Sequence, residues 1–254
     1  MRLDHMTWPE VEAYLTRSNA ILLPVGSTEQ HGPMGLIGTD ALCATVIAER
    51  AAEQARALVA PTLALTPAPF NMAFPGTISI SEPTFTALVG EVIDALAAHG
   101  FARIYVLNAH GANLAPLAAV AKKRPSLAIR LRSWWDFDPV NVLRQEWYGD
   151  WEGMHATPSE IAITQAAFRA PPVPKAALVP PQRLSLDYIR AHSGDRHGPA
   201  DDHRRDFPDG RVGSHSALAR PEHGAALISA AATAVAEDFA AFCGRPVVGS
   251  LSGH

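Results

Sequence analysis

Leu22-Leu23-Pro24-Val25-Gly26-Ser27-Thr28-Glu29-Gln30-His31-Gly32, followed shortly by Thr39-Asp40, is the stretch on which the reading of this chain turns. The apolar run from Ala20 to Val25 predicts a short buried strand that Gly26 ends. Past it stand two carboxylates, Glu29 and Asp40, and the imidazole of His31. On an extended backbone Glu29 and His31 point to one side, because side chains alternate along it. Mixed nitrogen and oxygen donors of this kind suit zinc, manganese or iron. Gly32, Gly35 and Gly38 allow the chain to bend back and bring Asp40 to the same place. A plainer reading makes Glu29 and His31 ordinary loop polars and Asp40 the N-cap of the helix that follows.

Outward from this stretch, strand and helix signals alternate. Residues 41–50 read as a helix and Leu58 to Leu65 as a second strand. Ser81-Glu82-Pro83 opens a helix that Gly100 ends, and Arg103 to Leu107 is the next strand. Asn108-Ala109-His110-Gly111-Ala112-Asn113 follows it directly. Leu127 to Arg132 predicts a fourth strand, and residues 225–242 an alanine-rich helix packed on the sheet. Alternation of this kind predicts a parallel sheet with right-handed crossovers, and ligands collect beyond the carboxyl ends of such strands. Glu29, His31 and His110 all lie at strand carboxyl ends, which is the strongest functional argument in the chain. Each also has a plainer reading as a hydrogen-bonded loop residue.

Other segments are less decisive. Residues 1–16 read as a structural helix with Trp8, Val11 and Leu15 on a sparse apolar face. The proline-rich residues 66–77 are either a pocket wall or a rigid connector. Trp147, Tyr148 and Trp151, in a polar stretch, suit a lid over a small substrate or a subunit contact. His155 precedes Pro158-Ser159-Glu160, a helix start, where an acid is favoured by the helix dipole in any protein. His192, His197 and His203 fall between Asp187 and Asp209, where irregular spacing favours a hydrophilic loop over a metal site.

Composition bounds the rest. A chain of 254 residues can bury a sizeable core, and 48% hydrophobic with 18% charged residues is ordinary for a globular protein. A net charge of -4 gives no reason to expect a nucleic acid or an anionic membrane as partner. Cys43 and Cys243 supply neither a disulfide framework nor a CxxC pattern, and Cys43 reads as a small core residue. No charged-then-apolar leader and no apolar run of membrane-spanning length stands out, so a cytoplasmic location is expected. No internal repeat or low-complexity linker divides the chain, and residues 1–254 are expected to form a single domain.

Together these motifs resemble the creatininase family of metal-dependent amidohydrolases. The resemblance rests on residues 26–32 with Thr39-Asp40, on residues 108–113, and on His155 with Glu160 five positions on. Phe74-Pro75-Gly76-Thr77-Ile78-Ser79 and residues 218–224 add to it, so most of the chain is covered in the right order. It implies a three-layer α/β/α domain with a mostly parallel sheet, two divalent ions (zinc ahead of manganese or iron), and a homo-oligomer, often a hexamer. Members include hydrolases of cyclic amides and formamides, and a peptidase. Carried over by position, Glu29, His31, Asp40 and His110 become metal ligands with Asp40 bridging, and Glu160 the remaining ligand. His155 matches the residue that protonates the leaving nitrogen, and Trp151 a tryptophan over the substrate. Gly111 and Thr77 are expected to line the substrate site.

Two departures are visible. Creatinine-hydrolysing members carry Tyr-Glu directly after the histidine matching His110, with that Glu a ligand, whereas this chain has Gly111 and Ala112. Relatives often show Asp-Pro where this chain has His215-Ser216. The first departure argues against creatinine as substrate. The expected activity is hydrolysis of a carbon–nitrogen bond in a small amide by a hydroxide shared between two cations, with His155 as proton donor. A metallopeptidase trimming a short peptide and a non-catalytic metal-binding protein on the same fold are the alternatives.

Overall fold

The computed structural model describes residues 1–244, so the last ten residues of the expected 1–254 domain lie outside the described residues. In chain order the elements are α1 (Trp8–Leu15), β1 (Ala20–Val25), α2 (Thr39–Ala55), β2 (Leu58–Val59) and α3 (Glu82–Ala98). β3 (Arg103–Asn108), α4 (Leu114–Lys122), β4 (Ala128–Ser133), α5 (Asp138–Trp147) and α6 (Pro158–Ala167) follow. Two short helices, α7 (Leu186–His192) and α8 (Ala200–Asp206), precede the long α9 (Pro221–Cys243).

The four strands form one parallel sheet in the order β2-β1-β3-β4. Side-chain alternation along β1 and β3 divides the core into two faces. Leu22, Tyr105 and Leu107 pack with Cys43 and Ile47 of α2 and with Leu227 and Val235 of α9. Ile21, Leu23, Ile104 and Val106 pack on the other side with Phe85 and Ile93 of α3, Leu117 of α4 and Tyr14 of α1. The result is the three-layer α/β/α arrangement with both sheet faces covered, as parallel sheets require.

Several local expectations need correction. β2 stops at Val59 and does not run to Leu65: Ala60 N donates to Leu22 O at 2.8 Å, but the next bond to β1, from Leu63 N to Pro24 O at 3.0 Å, comes one residue out of step. Pairing with β1 resumes only at the isolated Val25–Leu63 bridge. The amino-terminal segment is a 3-10 turn (Leu3–His5) followed by α1, which Pro9 starts afresh. Trp8 is 76% exposed and takes no part in the apolar face, which Val11, Tyr14 and Leu15 supply. α9 is long and apolar enough to cross a membrane by length and composition, although no such run stood out in the sequence. Its buried side, with Leu227, Ala231, Val235 and Phe239, packs along α2 and α6.

Candidate metal centre

β1 and β3 are neighbours with Val25 paired to Asn108, so the loops leaving their carboxyl ends start side by side. Asn108 shapes the second loop: its Nδ2 donates to His110 O at 2.8 Å and its Oδ1 accepts from His110 N at 3.2 Å. Asn113 Nδ2 donates to Gly26 O at 2.9 Å and ties the two loops together. Gly26 lets the start of α2 press against the first loop, since a Cβ there would meet Ala41 N at 2.3 Å.

That approach decides the reading of Asp40. α2 begins at Thr39 with Gly38 in the cap position, and no side chain caps it. Asp40 is therefore not the N-cap, and its carboxylate faces two imidazoles instead. Oδ1 lies 2.9 Å from His31 Nε2 and Oδ2 lies 3.1 Å from His110 Nδ1.

The tautomers follow from carbonyl partners, which can only accept. His31 Nδ1–H donates to Glu29 O at 3.1 Å, leaving the Nε2 lone pair toward Asp40 Oδ1 and, at 3.8 Å, Glu160 Oε1. His110 Nε2–H donates to Pro67 O at 2.8 Å, leaving the Nδ1 lone pair toward Asp40 Oδ2 and, at 3.3 Å, Glu29 Oε1. These nitrogens therefore face carboxylate oxygens in a buried cavity, an arrangement that needs positive charge between them, either a proton on the ring or a bound cation. Glu29 Oε1 and Asp40 Oδ2 are buried without a hydrogen-bond partner. Donor atoms of Glu29, Asp40 and His110 lie within 4.8 Å of one another, and so do those of His31, Asp40 and Glu160. A third such set joins Glu29, His31 and His155. These donors fit divalent metal in kind, number and spacing.

The electrostatics say the same. Burial pushes the Glu29 carboxyl up to about 7 and the Glu160 carboxyl up to about 8. Burial lowers the His31 imidazole, but Asp40, Glu160 and Glu29 outweigh it and hold it up at about 10. His110 is likewise raised, with Glu29 and Asp40 overcoming its burial. Asp40 is lowered, because His31 and His110 overcome the burial that would raise it. Protons are drawn in on every side except the one carboxylate between the two imidazoles. A bound divalent cation would supply the missing positive charge.

Glu160 reaches the site from α6. Thr157 N–H donates to its Oε1, and Glu160 N–H donates back to Thr157 Oγ1 at 3.3 Å. It therefore completes the helix's capping box and faces His31 at the same time. His155 lies five residues before Glu160, the third position of α6, with Nε2–H donating to Gln30 O at 2.7 Å. Its bare Nδ1 lies 3.5 Å from Glu29 Oε1. Burial first, then the neighbouring His31, pushes its pKa well down, so the ring is neutral.

The remaining sequence candidates are spread around this centre. Gly111 lines the cavity with Asp40, His110, His155 and Glu160. Thr77 sits one layer back, its Oγ1 accepting from Gln30 N at 3.1 Å. Trp151 is not among the lining residues; its ring lies against His215 with the Arg183 guanidinium 4.4 Å above it. The cavity's tryptophans are Trp134 and Trp135, just past β4. Trp147 and Tyr148 pack on His223 of α9. The proline-rich loop backs the centre: Pro67 holds His110, and Phe70 lies against His110 and His155. The segment with His192, His197 and His203 is exposed along much of its length and contains two short helices, but these three rings pack together. Those rings stack with one another and with Tyr188, Phe70 and Phe207, and none joins a metal-ligating set among the described residues. Asn71 and Asp195, which the sequence reading did not single out, both touch the centre.

Comparison with known proteins agrees with this geometry. The Creatininase family profile, described as creatinine amidohydrolase, matches residues 4–239. The chain is 30% identical over 185 residues to a creatinine amidohydrolase of Pseudomonas putida, covering 65% of this chain and 71% of that protein. It is 38% identical over 105 residues to a mycofactocin precursor peptide peptidase of Mycolicibacterium smegmatis, covering 39% of this chain and 42% of that one. A crystal structure of creatinine amidohydrolase superimposes with a TM-score of 0.76 at 23% identity, over 96% of this chain and 98% of the other. This chain belongs to the creatininase family of metal-dependent amidohydrolases.

Proposed function

We propose that the protein hydrolyses the carbon–nitrogen bond of a small amide, cyclic amide or formamide at a dinuclear centre. Glu29, Asp40 and His110 would hold one divalent ion; His31, Asp40 and Glu160 would hold the other, with zinc ahead of manganese or iron. The observation that carries this reading is the division of Asp40, one oxygen toward each imidazole lone pair. When bound, the ions polarise the carbonyl and acidify a water.

The chain's own part is to move a proton. His155 is neutral, its Nε2–H is committed to Gln30 O, and its Nδ1 is free to accept. The attacking water gives a proton to Nδ1 as its oxygen bonds to the carbonyl carbon. Nδ1 then passes that proton to the nitrogen as the carbon–nitrogen bond breaks, leaving a carboxylic acid and an amine. Amide nitrogen leaves poorly unless it is protonated.

A peptide substrate is the second reading, favoured by the 38% identity to a precursor-peptide peptidase. Creatinine is expected to be a poor substrate, because Gly111 and Ala112 replace the Tyr-Glu side chains that creatinine-hydrolysing members carry after the matching histidine. Metal analysis of protein purified without chelator, then a screen of lactams, formamides and short peptides with and without chelator, tests the proposal. Absence of bound metal, or turnover that survives complete metal removal, would overturn it.

A further inference from the structure

Between α7 and α8, Ser193, Gly194 and Asp195 line the same cavity as His155 and Glu160. Asp195 has a left-handed backbone, with φ 54, a conformation that Asp tolerates better than most residues. Its side chain is 11% exposed. Oδ2 accepts from Ala112 N at 3.1 Å, and the same atom lies 3.7 Å from His110 Nδ1. Oδ1 lies 3.9 Å from His197 Nε2, beyond hydrogen-bond range, and both ring nitrogens of His197 lack a partner.

Gly111 makes this approach possible. A Cβ on Gly111 would stand 2.2 Å from Asp195 Oδ2, so any other residue there would expel the carboxylate. The Gly111 backbone is not left-handed, so nothing in its own conformation calls for glycine. The role left for the missing side chain is room for Asp195.

The His110 lone pair thus faces three carboxylates, Asp40 at 3.1 Å, Glu29 at 3.3 Å and Asp195 at 3.7 Å. None can donate a proton when ionised, and among the described residues no Lys or Arg forms an ion pair with Asp195. A buried carboxylate in that position needs positive charge from the centre itself. Two ligands bonded to one ion at about 2.0–2.2 Å are separated by no more than about 4.0–4.4 Å, which admits 3.7 Å. Asp195 lies furthest out and outside the tight three-donor sets, so its removal should weaken the ion and not abolish it.

We propose that Asp195 is a further ligand of the ion faced by Glu29, Asp40 and His110, and that Gly111 is bare so that this carboxylate can reach it. The inference rests on the dinuclear reading above. Its test is titration of metal-stripped full-length protein with Zn²⁺ against a chromophoric chelator. Wild type should take up two equivalents. Asp195→Asn, which keeps shape and loses charge, should bind one equivalent at least about 10-fold more weakly, no less than the loss of a group behind a ligand costs, and the other unchanged. Gly111→Ala, which displaces Oδ2 while leaving Asp195 unmutated, should reproduce that loss, and the double variant should add nothing to it. Two equivalents bound by Asp195→Asn as in wild type, or equal weakening of both, would overturn this proposal while leaving the dinuclear centre standing. Wild-type protein that takes up no Zn²⁺ would overturn both. If Asp195→Asn fails to fold, Gly111→Ala decides alone: unchanged affinity there rejects the role.

Discussion

Asn71 Nδ2 donates to Glu29 Oε2 at 3.0 Å, which turns the other oxygen of Glu29 toward His110. Gln30 Nε2 donates in turn to Asn71 Oδ1 at 2.8 Å and to Gly210 O at 3.0 Å, fixing which way the Asn71 amide faces. A ligand held this way keeps its geometry before the metal arrives. Asn71→Ala should therefore lower metal affinity by about 10–100-fold with little change in fold. Asn71→Asp should be worse, since it sets a second carboxylate against Glu29. Chelator competition measures both, and wild-type affinity in Asn71→Ala would show that Glu29 is held by packing alone.

How legible this centre was in the sequence depended on how local each signal is. Glu29, His31 and His110 could be found because strand ends and periodicity are written within a dozen residues. Asp40 was ambiguous, since a carboxylate beside a helix start fits a cap as well as a ligand. Only the packing of α2 on Gly26, a contact between elements, turns it into the cavity. Asn71, Asp195 and the tryptophans past β4 come from loops whose paths no local pattern encodes. Trp151 illustrates the limit from the other side: a polar stretch with aromatics suits a lid or a subunit contact equally, and within the chain its ring rests on His215 and Arg183. Pro61 did carry a readable signal, because proline inside a predicted strand argues for an early end.

Gly26 joins fold and site, so its replacement should affect both. Gly26→Ala drives a Cβ into the Ala41 backbone nitrogen, which cannot swing aside as a side chain could. Overpacking of this kind costs about 1–3 kcal/mol, to be read by denaturant unfolding. Because α2 carries Asp40, metal affinity should fall with it. Gly198→Ala, with nothing within 4 Å of the added carbon, should stay within about 0.5 kcal/mol of wild type. Equal stability of the two variants would rule out the close approach at Gly26.

His203 ties global stability to pH. It is 3% exposed, lies among the Phe70, His197 and Phe207 rings, and its Nε2 has no partner. Burial lowers its pKa to about 4; Asp206 opposes the shift and His192 adds to it. A folded pKa below the unfolded value of about 6.5 means the unfolded chain binds protons first. The stability contribution is complete above pH ~6.5 and is lost as pH falls toward ~4. Denaturation midpoints should drop over that window, and His203→Phe should flatten the slope. An unchanged slope in the variant would place the pH dependence elsewhere.

His155 and Asp40 should separate proton transfer from metal binding. Asp40 faces both imidazole lone pairs, so Asp40→Ala should lose metal from both sets and activity with it. His155→Ala should keep its fold and its metal yet lose about 10²–10⁴-fold in rate, the usual contribution of a general acid–base group. The loss should depend on the leaving group. An amide whose amine departs easily needs little protonation, so the variant should recover much of its rate there, and far less on a poor leaving group. His155 also lies 3.5 Å from Glu29, which gives it a structural alternative. If it only steadies Glu29, the His155 variant should lose metal in proportion to activity. Equal impairment on good and poor leaving groups, with metal intact, would remove the proton role and leave His155 as a substrate-positioning residue.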